Sequence, residues 1–382
     1  MERGTVSEAT FMPQARRNRL GLTPGQERAF NALAAGIIGA MVLGWTVSIA
    51  DQYRQRTDAQ DEAATPARAM ASRFSDPRAS ETAYLDDAQL DFLDALRGRS
   101  GKLRAAFRTP GDTLTSEKDA QQLPPELSAR FEAPSGSELS EDFTAPKRPG
   151  VYKLAVELNK ATRSIDDLKV ITLVPFAEKQ KDRIGLYYLG RWPFESGKAP
   201  PRPSYANPTG FIEVTQENKD TPVSEHFKLR DFLTKDQFNV WPKYLLLDSR
   251  LLDKLELVIQ ELEAEGHRVE RVHIMSGFRT PIYNHSGGNT GGRANLSRHM
   301  YGDAADIWVD NDGNGLMDDL NGDGKVDTED AEVIARAAER VEARYPALVG
   351  GVGIYKACCG HGPFTHVDVR GYRARWRGTG NG

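Results

Sequence analysis

The stretch SRHMYGDAADIWVD, residues 297–310, places a histidine and an aspartate seven positions apart around a glycine. Ordinary packing gives no reason for His299, Gly302 and Asp306 to occur in this arrangement. An imidazole nitrogen and a carboxylate oxygen are both ligands that zinc accepts in proteins. A catalytic zinc takes three protein ligands and keeps a fourth position open. The stretch therefore predicts two zinc ligands and requires a third elsewhere in the chain.

The segment FTHVDV, residues 364–369, supplies that third ligand as His366. Its composition predicts a strand, and side chains alternate along a strand, so His366 and Asp368 should share one face. Zinc lowers the pKa of a bound water to roughly 7 and polarises a carbonyl. Two histidines and one aspartate around a zinc ion with a bound water therefore predict hydrolysis.

These motifs resemble those of the zinc D-alanyl-D-alanine metallopeptidases, which include murein endopeptidases and D-Ala-D-Ala carboxypeptidases. The family signature is Ser-x-His-x-x-Gly-x-Ala-x-Asp, and it is complete here at Ser297, His299, Gly302, Ala304 and Asp306.

Further motifs carry the same resemblance over roughly residues 223–382. The family's SGYRS-like loop is similar to SGFRT here, and THVDVRG resembles the late strand that carries the second zinc histidine. The branch that resembles murein endopeptidase K has an arginine and a tryptophan further on, here Arg375 and Trp376. The resemblance implies zinc ligands at His299, Asp306 and His366. It also implies that Arg279 holds the substrate or the developing oxyanion, a task that suits a fixed guanidinium.

The position at which many family members carry the general base differs in this chain. Many members carry a Glu or Asp three residues before the last zinc histidine, where this chain has Pro363. Asp368 and His361 are the two substitutes, and a base must lie within hydrogen-bond reach of the zinc-bound water. We favour Asp368 and expect the other residue to orient a ligand.

A second metal signature, DNDGNGLMDDLNGDGKVDTED, spans residues 310–330. Its later part matches an EF-hand-type calcium loop, with glycine at place 6 and oxygen ligands at the other places. The predicted ligands of this loop are Asp319, Asn321, Asp323, Lys325 through its carbonyl, Asp327 and Asp330. An overlapping frame predicts a second calcium site at Asp310, Asp312, Asn314 and Asp318. So many carboxylates within twenty residues would repel one another without a cation.

The elements around the motifs predict an α+β fold. Apolar spacing predicts a helix over 250–266, ending at Gly266, and β-branched residues predict a strand over 271–275. Another helix should follow the calcium loop directly. We expect a small antiparallel sheet with flanking helices that binds zinc in residues 223–382, with the calcium loop as an insertion at 310–330.

The N-terminal part carries a candidate membrane anchor. Residues 32–50 contain no charge, and nineteen residues match a hydrocarbon core of about 30 Å. Arginines are frequent in residues 1–31 and acidic residues follow the apolar run. The positive-inside rule predicts a cytoplasmic tail over 1–31, one N-terminal transmembrane helix, and the remainder outside a bacterial cytoplasmic membrane, in the periplasm or its equivalent.

Two segments lie between the anchor and the zinc domain. Residues 51–149 are rich in charged residues, Ser, Pro and Ala, and predict a largely disordered linker with one helix over 83–98. Residues 150–222 contain short runs of β-branched and aromatic residues between turn signals, which predict a small β module.

The overall composition argues against nucleic-acid binding and against a fold held together by disulfide bonds. The chain has 382 residues and a net charge of −4, which gives no case for nucleic-acid binding. Its two cysteines, Cys358 and Cys359, are adjacent and cannot staple distant parts of a fold.

The sequence thus predicts a membrane-anchored zinc peptidase that cleaves peptidoglycan peptides. The alternative is a catalytically inactive module that keeps zinc and calcium and serves in wall binding or signalling. The loss of the usual base at Pro363 is the feature that keeps this alternative open.

Overall fold

The computed structural model describes residues 90–378 except 122, 135, 160, 288–292 and 359, together with residues 25 and 28. The chain divides into two compact units, Met1–Ser72 and Arg73–Gly382. The predicted anchor at 32–50 lies outside the described residues. No helix in the described part of the chain combines the length and the apolar character needed to cross a membrane.

The second unit is a mixed α+β structure, as predicted. Its helices are α1 (Asp91–Leu96), α2 (Glu117–Ala120), α3 (Ser249–Ala264), α4 (Pro281–Ser286) and α5 (Thr328–Arg344). Its strands are β1 (Ala105–Arg108), β2 (Leu127–Ala133), β3 (Gly136–Ser140), β4 (Gly150–Leu158), β5 (Ala161–Thr172), β6 (Val174–Pro175), β7 (Arg183–Ile184), β8 (Tyr187–Tyr188), β9 (Gly210–Val214), β10 (Lys243–Leu245), β11 (Val272–Ser276), β12 (Ala304–Val309), β13 (Gly351–Tyr355), β14 (Phe364–Asp368) and β15 (Ala374–Gly378).

The zinc motifs lie on a five-stranded sheet with the order β11-β12-β14-β13-β15. All neighbouring strands are antiparallel except β13 and β15, which pair in parallel. The predicted small antiparallel sheet is therefore present, with one parallel edge strand.

Helix α5 packs against this sheet, and helix α3 packs against α5. The apolar residues of α3 recur at helical spacing and are buried, among them Leu251, Leu255 and Leu262. Helix α5 contacts β14 directly, because the Thr365 hydroxyl donates to the Ala331 carbonyl at 2.7 Å. The predicted helices at 250–266 and after the calcium loop are thus confirmed, and they support the strands that carry the site.

The prediction of a disordered linker is wrong for residues 90–149. Strands β1, β2 and β3 lie in this segment and join β4 and β5 in a sheet with the order β1-β5-β4-β2-β3. Only one face of β2 is apolar, with Leu127, Ala129 and Phe131 buried at alternate positions. A polar outer face therefore gave the segment the average composition of a linker. The predicted helix over 83–98 is seen only as α1, and its first residues lie outside the described ones.

The predicted boundary at residue 222 does not separate two folds. Strand β9 belongs to the predicted β module, yet it pairs with β10 of the predicted zinc domain through Ile212 and Leu245. Both of these residues are buried in one hydrophobic core. The β module is therefore continuous with the zinc domain in packing.

Candidate metal centre

Three side chains predicted as zinc ligands meet at one point. His299 Nε2 lies 3.2 Å from His366 Nδ1 and 3.3 Å from Asp306 Oδ1, and the last two atoms are 2.8 Å apart. All three residues are buried. A tetrahedral zinc with bonds of about 2.0–2.2 Å separates its ligand atoms by roughly 3.3–3.5 Å. The two separations from His299 are close to this spacing, whereas Asp306 and His366 stand at hydrogen-bond distance and would move apart slightly to share a zinc ion. Two imidazoles and one carboxylate are a donor set that fits zinc.

Sheet register places two of the ligands. Asp306 on β12 stands directly opposite His366 on β14, so their side chains leave the same face as nearest neighbours. Sixty residues of sequence separate them, yet the antiparallel pairing brings their ligand atoms together. The strands fix this pair more firmly than loops would.

The third ligand comes from a short turn before β12. His299 lies in the 3-10 helix Arg298–Tyr301, which ends at Gly302 with φ of 70°. A side chain at Gly302 would be strained by this left-handed backbone. Its Cβ would also lie 2.4 Å from the Leu246 carbonyl oxygen. The glycine of the signature therefore lets the turn carrying His299 pack closely against the chain after β10.

Hydrogen bonds on the outer sides of the imidazoles fix their tautomers. His299 Nδ1 lies 2.7 Å from the Gly277 carbonyl, which can only accept, so Nδ1 donates and Nε2 keeps a lone pair. His366 Nε2 lies 3.0 Å from the Asp368 carboxylate and donates to it, leaving the lone pair on Nδ1. Both free lone pairs belong to the atoms of the ligand triangle, as metal binding requires.

The charges of the site prepare its groups for metal binding. Burial, together with the Arg279 charge, lowers the pKa of His299 to about 4, so this imidazole is neutral near pH 7. Burial acts to raise the pKa of Asp306, but His299, His366 and Arg279 hold it well below its usual range. Burial also acts to lower the pKa of His366, and hydrogen bonds to Asp306 and Asp368 outweigh this and raise it. The raised pKa means that a proton competes with zinc for His366 Nδ1, so zinc binding weakens as the pH falls.

Asp368 acts on His366 from the side away from the ligand triangle. Its carboxylate also accepts hydrogen bonds from the Gly351 amide at 2.7 Å and from the Arg370 guanidinium at 2.9 Å. Burial acts to raise the pKa of Asp368, but His366 and Arg370 hold it well below its usual range. A carboxylate so fully engaged is a weak base. This geometry favours the ligand-orienting role over the role of general base that we preferred from the sequence.

His361, the other candidate base, lies in the connection between β13 and β14. Its ring packs edge-on against Phe364 with 5.2 Å between ring centres. Phe364 in turn lines the cavity above the ligand triangle. The Phe364 ring thus lies between His361 and the cavity.

Arg279 lies at the predicted place beside the metal ligands. Its Nη2 donates to Asp306 Oδ2 at 2.7 Å and its Nε donates to the Ser276 hydroxyl at 2.7 Å. Ser276 pairs with Asp306 across β11 and β12. The guanidinium is therefore fixed at the carboxylate predicted to bind the metal, at the wall of the cavity.

The ligand triangle opens into a cavity of about 470 Å³. Four of its lining residues are arginines, and the other lining residues include several aromatic rings. The arginines are Arg279, Arg293, Arg298 and Arg370.

Three of these arginines are neutralised by carboxylates, namely Asp306, Asp303 and Asp368. Arg293 has no acidic partner within the described ranges. Its Nη1 donates to the carbonyls of Tyr283 and Gly287 at 2.7 and 2.8 Å. Sequence reasoning missed Arg293 because no motif contains it.

Trp376 was noted from the sequence only as part of the resemblance, and it forms a wall of the site. Its ring centre lies 5.1 Å from that of His366, and its Nε1 donates to the Tyr355 hydroxyl at 2.7 Å. Gly353 makes room for this ring, since a Cβ there would lie 2.4 Å from it. The glycines of GGVG were the sequence signal for this packing.

The two predicted calcium frames differ in the structure. Within the described residues, Asp310, Asp312 and Asp318 form a group whose ligand atoms lie within 4.8 Å of one another. No group of this kind is formed by the acidic residues of 319–330. Asp327 and Asp330 instead make the capping box at the start of α5. Calcium binding by 319–330, with Asp319, Asn321, Asp323 and Lys325, stays a prediction.

Comparison with known families supports the reading of the site. Residues 243–321 match the family model described as Peptidase M15. The matched segment includes Arg279, His299 and Asp306 and ends before His366. The match supports a peptidase-like domain of this family and hence a metallopeptidase. No curated protein and no solved structure matches the chain.

Proposed function

We propose that this protein is a zinc metallopeptidase that cleaves peptide bonds of peptidoglycan. The observation that carries the proposal is the triangle of His299 Nε2, Asp306 Oδ1 and His366 Nδ1 at one end of an open cavity. Two of these ligands lie within the segment that matches Peptidase M15. The arrangement leaves one side of the triangle for solvent and substrate, as catalytic zinc sites do.

The charge of the cavity supports an anionic substrate. Arg293 adds a positive charge that no acidic group among the described residues balances, and a bound zinc would add more. Peptides of peptidoglycan carry free carboxylates, which guanidinium groups bind well. The resemblance to D-Ala-D-Ala peptidases adds the expectation of a D-amino acid at the cleaved bond.

The proposed reaction is hydrolysis of an amide. When bound, zinc supplies a Lewis acid for the carbonyl and makes the attacking water more acidic. Arg279 donates to the carbonyl oxygen as negative charge develops there. The attacking water must give up a proton, which reaches the leaving nitrogen as the C–N bond breaks. His361 is the remaining candidate for this transfer, and it would have to move in from behind Phe364 to reach the water. Asp368 holds His366 in the tautomer that binds the metal.

The proposed location follows from the N-terminal sequence. The uncharged run at 32–50 and the arginines before it support an N-terminal transmembrane helix with the second unit outside the cytoplasmic membrane. An anchor of this kind would hold the enzyme near the cell wall.

A second candidate is a zinc-binding module without catalysis, in wall binding or signalling. One observation favours it. Asp306 is the only carboxylate among the described residues that line the cavity, and it is itself a predicted ligand. The usual carboxylate base is thus missing from this part of the site.

Digestion of peptidoglycan separates the two candidates. Zinc-loaded full-length protein is incubated with purified sacculi, and soluble peptides are identified by mass spectrometry. We expect fragments with newly formed termini, lost in His299→Ala and kept in His267→Ala, which changes a histidine outside the cavity. One zinc per chain without any fragment would favour the non-catalytic module.

A further inference from the structure

The end of strand β12 carries an acidic cluster that the zinc site does not use. Asp310 follows β12 directly, and its oxygen atoms lie near those of Asp312 and Asp318. The ligand atoms of the three residues are within 4.8 Å of one another. Three carboxylates at this spacing repel one another strongly unless a cation lies between them.

One oxygen of the cluster is buried and lacks a partner. Asp310 is fully buried, and its Oδ1 accepts no hydrogen bond from any described residue. Its other oxygen lies 3.3 Å from the Gly315 amide. A buried carboxylate oxygen without a partner is costly, and a coordinated cation is one of the few ways to satisfy it.

Positively charged side chains do not neutralise the acidic cluster. No lysine or arginine in the described part of the chain makes an ion pair with Asp310, Asp312 or Asp318. The Arg271 guanidinium lies beside the loop, with its Nη1 2.8 Å from where a Cβ at Gly313 would stand. The cluster therefore keeps its negative charge, with Asp310 buried and Asp312 exposed.

The backbone around the cluster is tied to the sheet at both ends. The Asp310 amide donates to the Arg271 carbonyl at 3.0 Å, and the Asp318 amide donates to the Val309 carbonyl at 2.9 Å. Met317 is buried in the main core next to this closure. A cation held by the cluster would thus fix a loop that closes at the end of β12, four residues beyond Asp306.

We propose that Asp310, Asp312 and Asp318 form a second metal site, distinct from the zinc centre, that binds a hard divalent cation, calcium. Carboxylate oxygens alone favour calcium over zinc, which prefers nitrogen and sulfur ligands. The Asn314 side-chain oxygen lies in the same loop and accepts from the Leu316 amide at 2.7 Å, which leaves it a further lone pair. The bound cation fixes the end of the strand that presents Asp306.

Calcium titration of the full-length protein tests this site. Metal is first removed with a chelator, one equivalent of zinc is restored, and calcium chloride is titrated by calorimetry. We expect a calcium-binding event and a higher melting temperature with calcium. Asp312→Ala, which changes the exposed member of the cluster, should weaken this event at least about tenfold because the site loses a charged ligand. Its zinc content should remain one per chain.

Asp220→Ala is the matched control, because it removes an exposed aspartate that lies outside both acidic loops. Its calcium binding should equal that of the wild type, in contrast to Asp312→Ala. Asp310→Asn gives a second variant, in which the unpartnered oxygen loses its charge, and it should weaken the same event. The proposal is overturned if the wild type binds no calcium at millimolar concentrations. It is also overturned if calcium binding is lost in Asp220→Ala and kept in Asp312→Ala.

Discussion

Asp306 and His366 face each other across the antiparallel pair of β12 and β14, with 2.8 Å between Oδ1 and Nδ1. This relationship sets the geometry of the candidate metal centre. Both side chains belong to regular strands at the centre of a sheet, so their spacing does not depend on loop conformation. His299 completes the triangle from a turn that Gly302 allows to pack closely.

Asp368→Asn should weaken zinc binding by about 10- to 100-fold, because the charged acceptor that orients His366 is lost. Zinc affinity is measured by competition with a chromogenic chelator. Glu339→Gln is the control, since it also removes a carboxylate partner of arginines but contacts no ligand. Equal zinc affinity in wild type and Asp368→Asn would rule out the orienting role.

Gly302→Ala should destabilise the fold far more than Gly266→Ala. Both glycines have positive φ, so each substitution costs about 1–2 kcal/mol from the left-handed backbone. Nothing lies within 4 Å of a Cβ at Gly266, whereas a Cβ at Gly302 meets the Leu246 backbone. Overpacking adds about 1–3 kcal/mol at Gly302. Free energies of unfolding from urea titrations measure the difference, and equal losses would contradict the close packing.

Arg293→Gln should impair recognition of substrates with a free carboxylate. A charge-assisted hydrogen bond contributes about 1.5–3 kcal/mol, so we expect KM to rise about tenfold or more with little change in kcat. Peptides with an amidated C-terminus should show no such rise. Arg377→Gln, which changes a largely exposed arginine paired with Glu332, is the control. An unchanged KM for the free acid would remove Arg293 from substrate binding.

His226 should make stability depend on pH. Its Nδ1 lies 2.8 Å from Glu256 Oε2, and this hydrogen bond raises the pKa of His226 in spite of partial burial. The folded pKa therefore exceeds the unfolded value of about 6.5, so the contribution is complete below that pH and is lost as pH rises through the folded pKa.

The test compares the wild type with His226→Gln by urea unfolding at several pH values. We expect the variant to lose about 1–2 kcal/mol at pH 5.5 and progressively less as the pH rises above 7. In a Glu256→Gln background the effect of the histidine should no longer vary with pH. A loss that grows with pH would contradict the assigned charge.

The three candidate metal ligands could be picked from the sequence because metal binding requires particular residue types, and the family signature fixes their spacing. The structure agrees with this choice, since the ligand atoms of His299, Asp306 and His366 lie close together. The role of Asp368 could not be predicted in the same way. Strand alternation placed it beside His366, but only the structure shows that it contacts Nε2, on the side of the ring away from the triangle.

The fold was predicted best where the apolar residues recur at the spacing of a single secondary-structure type. Helix α3 runs over Ser249–Ala264, close to the predicted 250–266, because its apolar spacing is strong. The strands of 90–149 were missed because β2 buries one face only and β3 buries none of its residues. The sheet forms through partners far along the chain, such as Phe131 with Leu154. Pairing between strands that are distant in sequence leaves little recognisable pattern within the sequence of either strand.

The most direct test of the account is the metal content and coordination of the purified protein, measured by elemental analysis and zinc X-ray absorption. We expect one zinc per chain with nitrogen and oxygen ligands at about 2.0–2.2 Å, and a loss of that zinc in His366→Ala. A protein that binds no zinc, or a spectrum dominated by sulfur ligands, would contradict it.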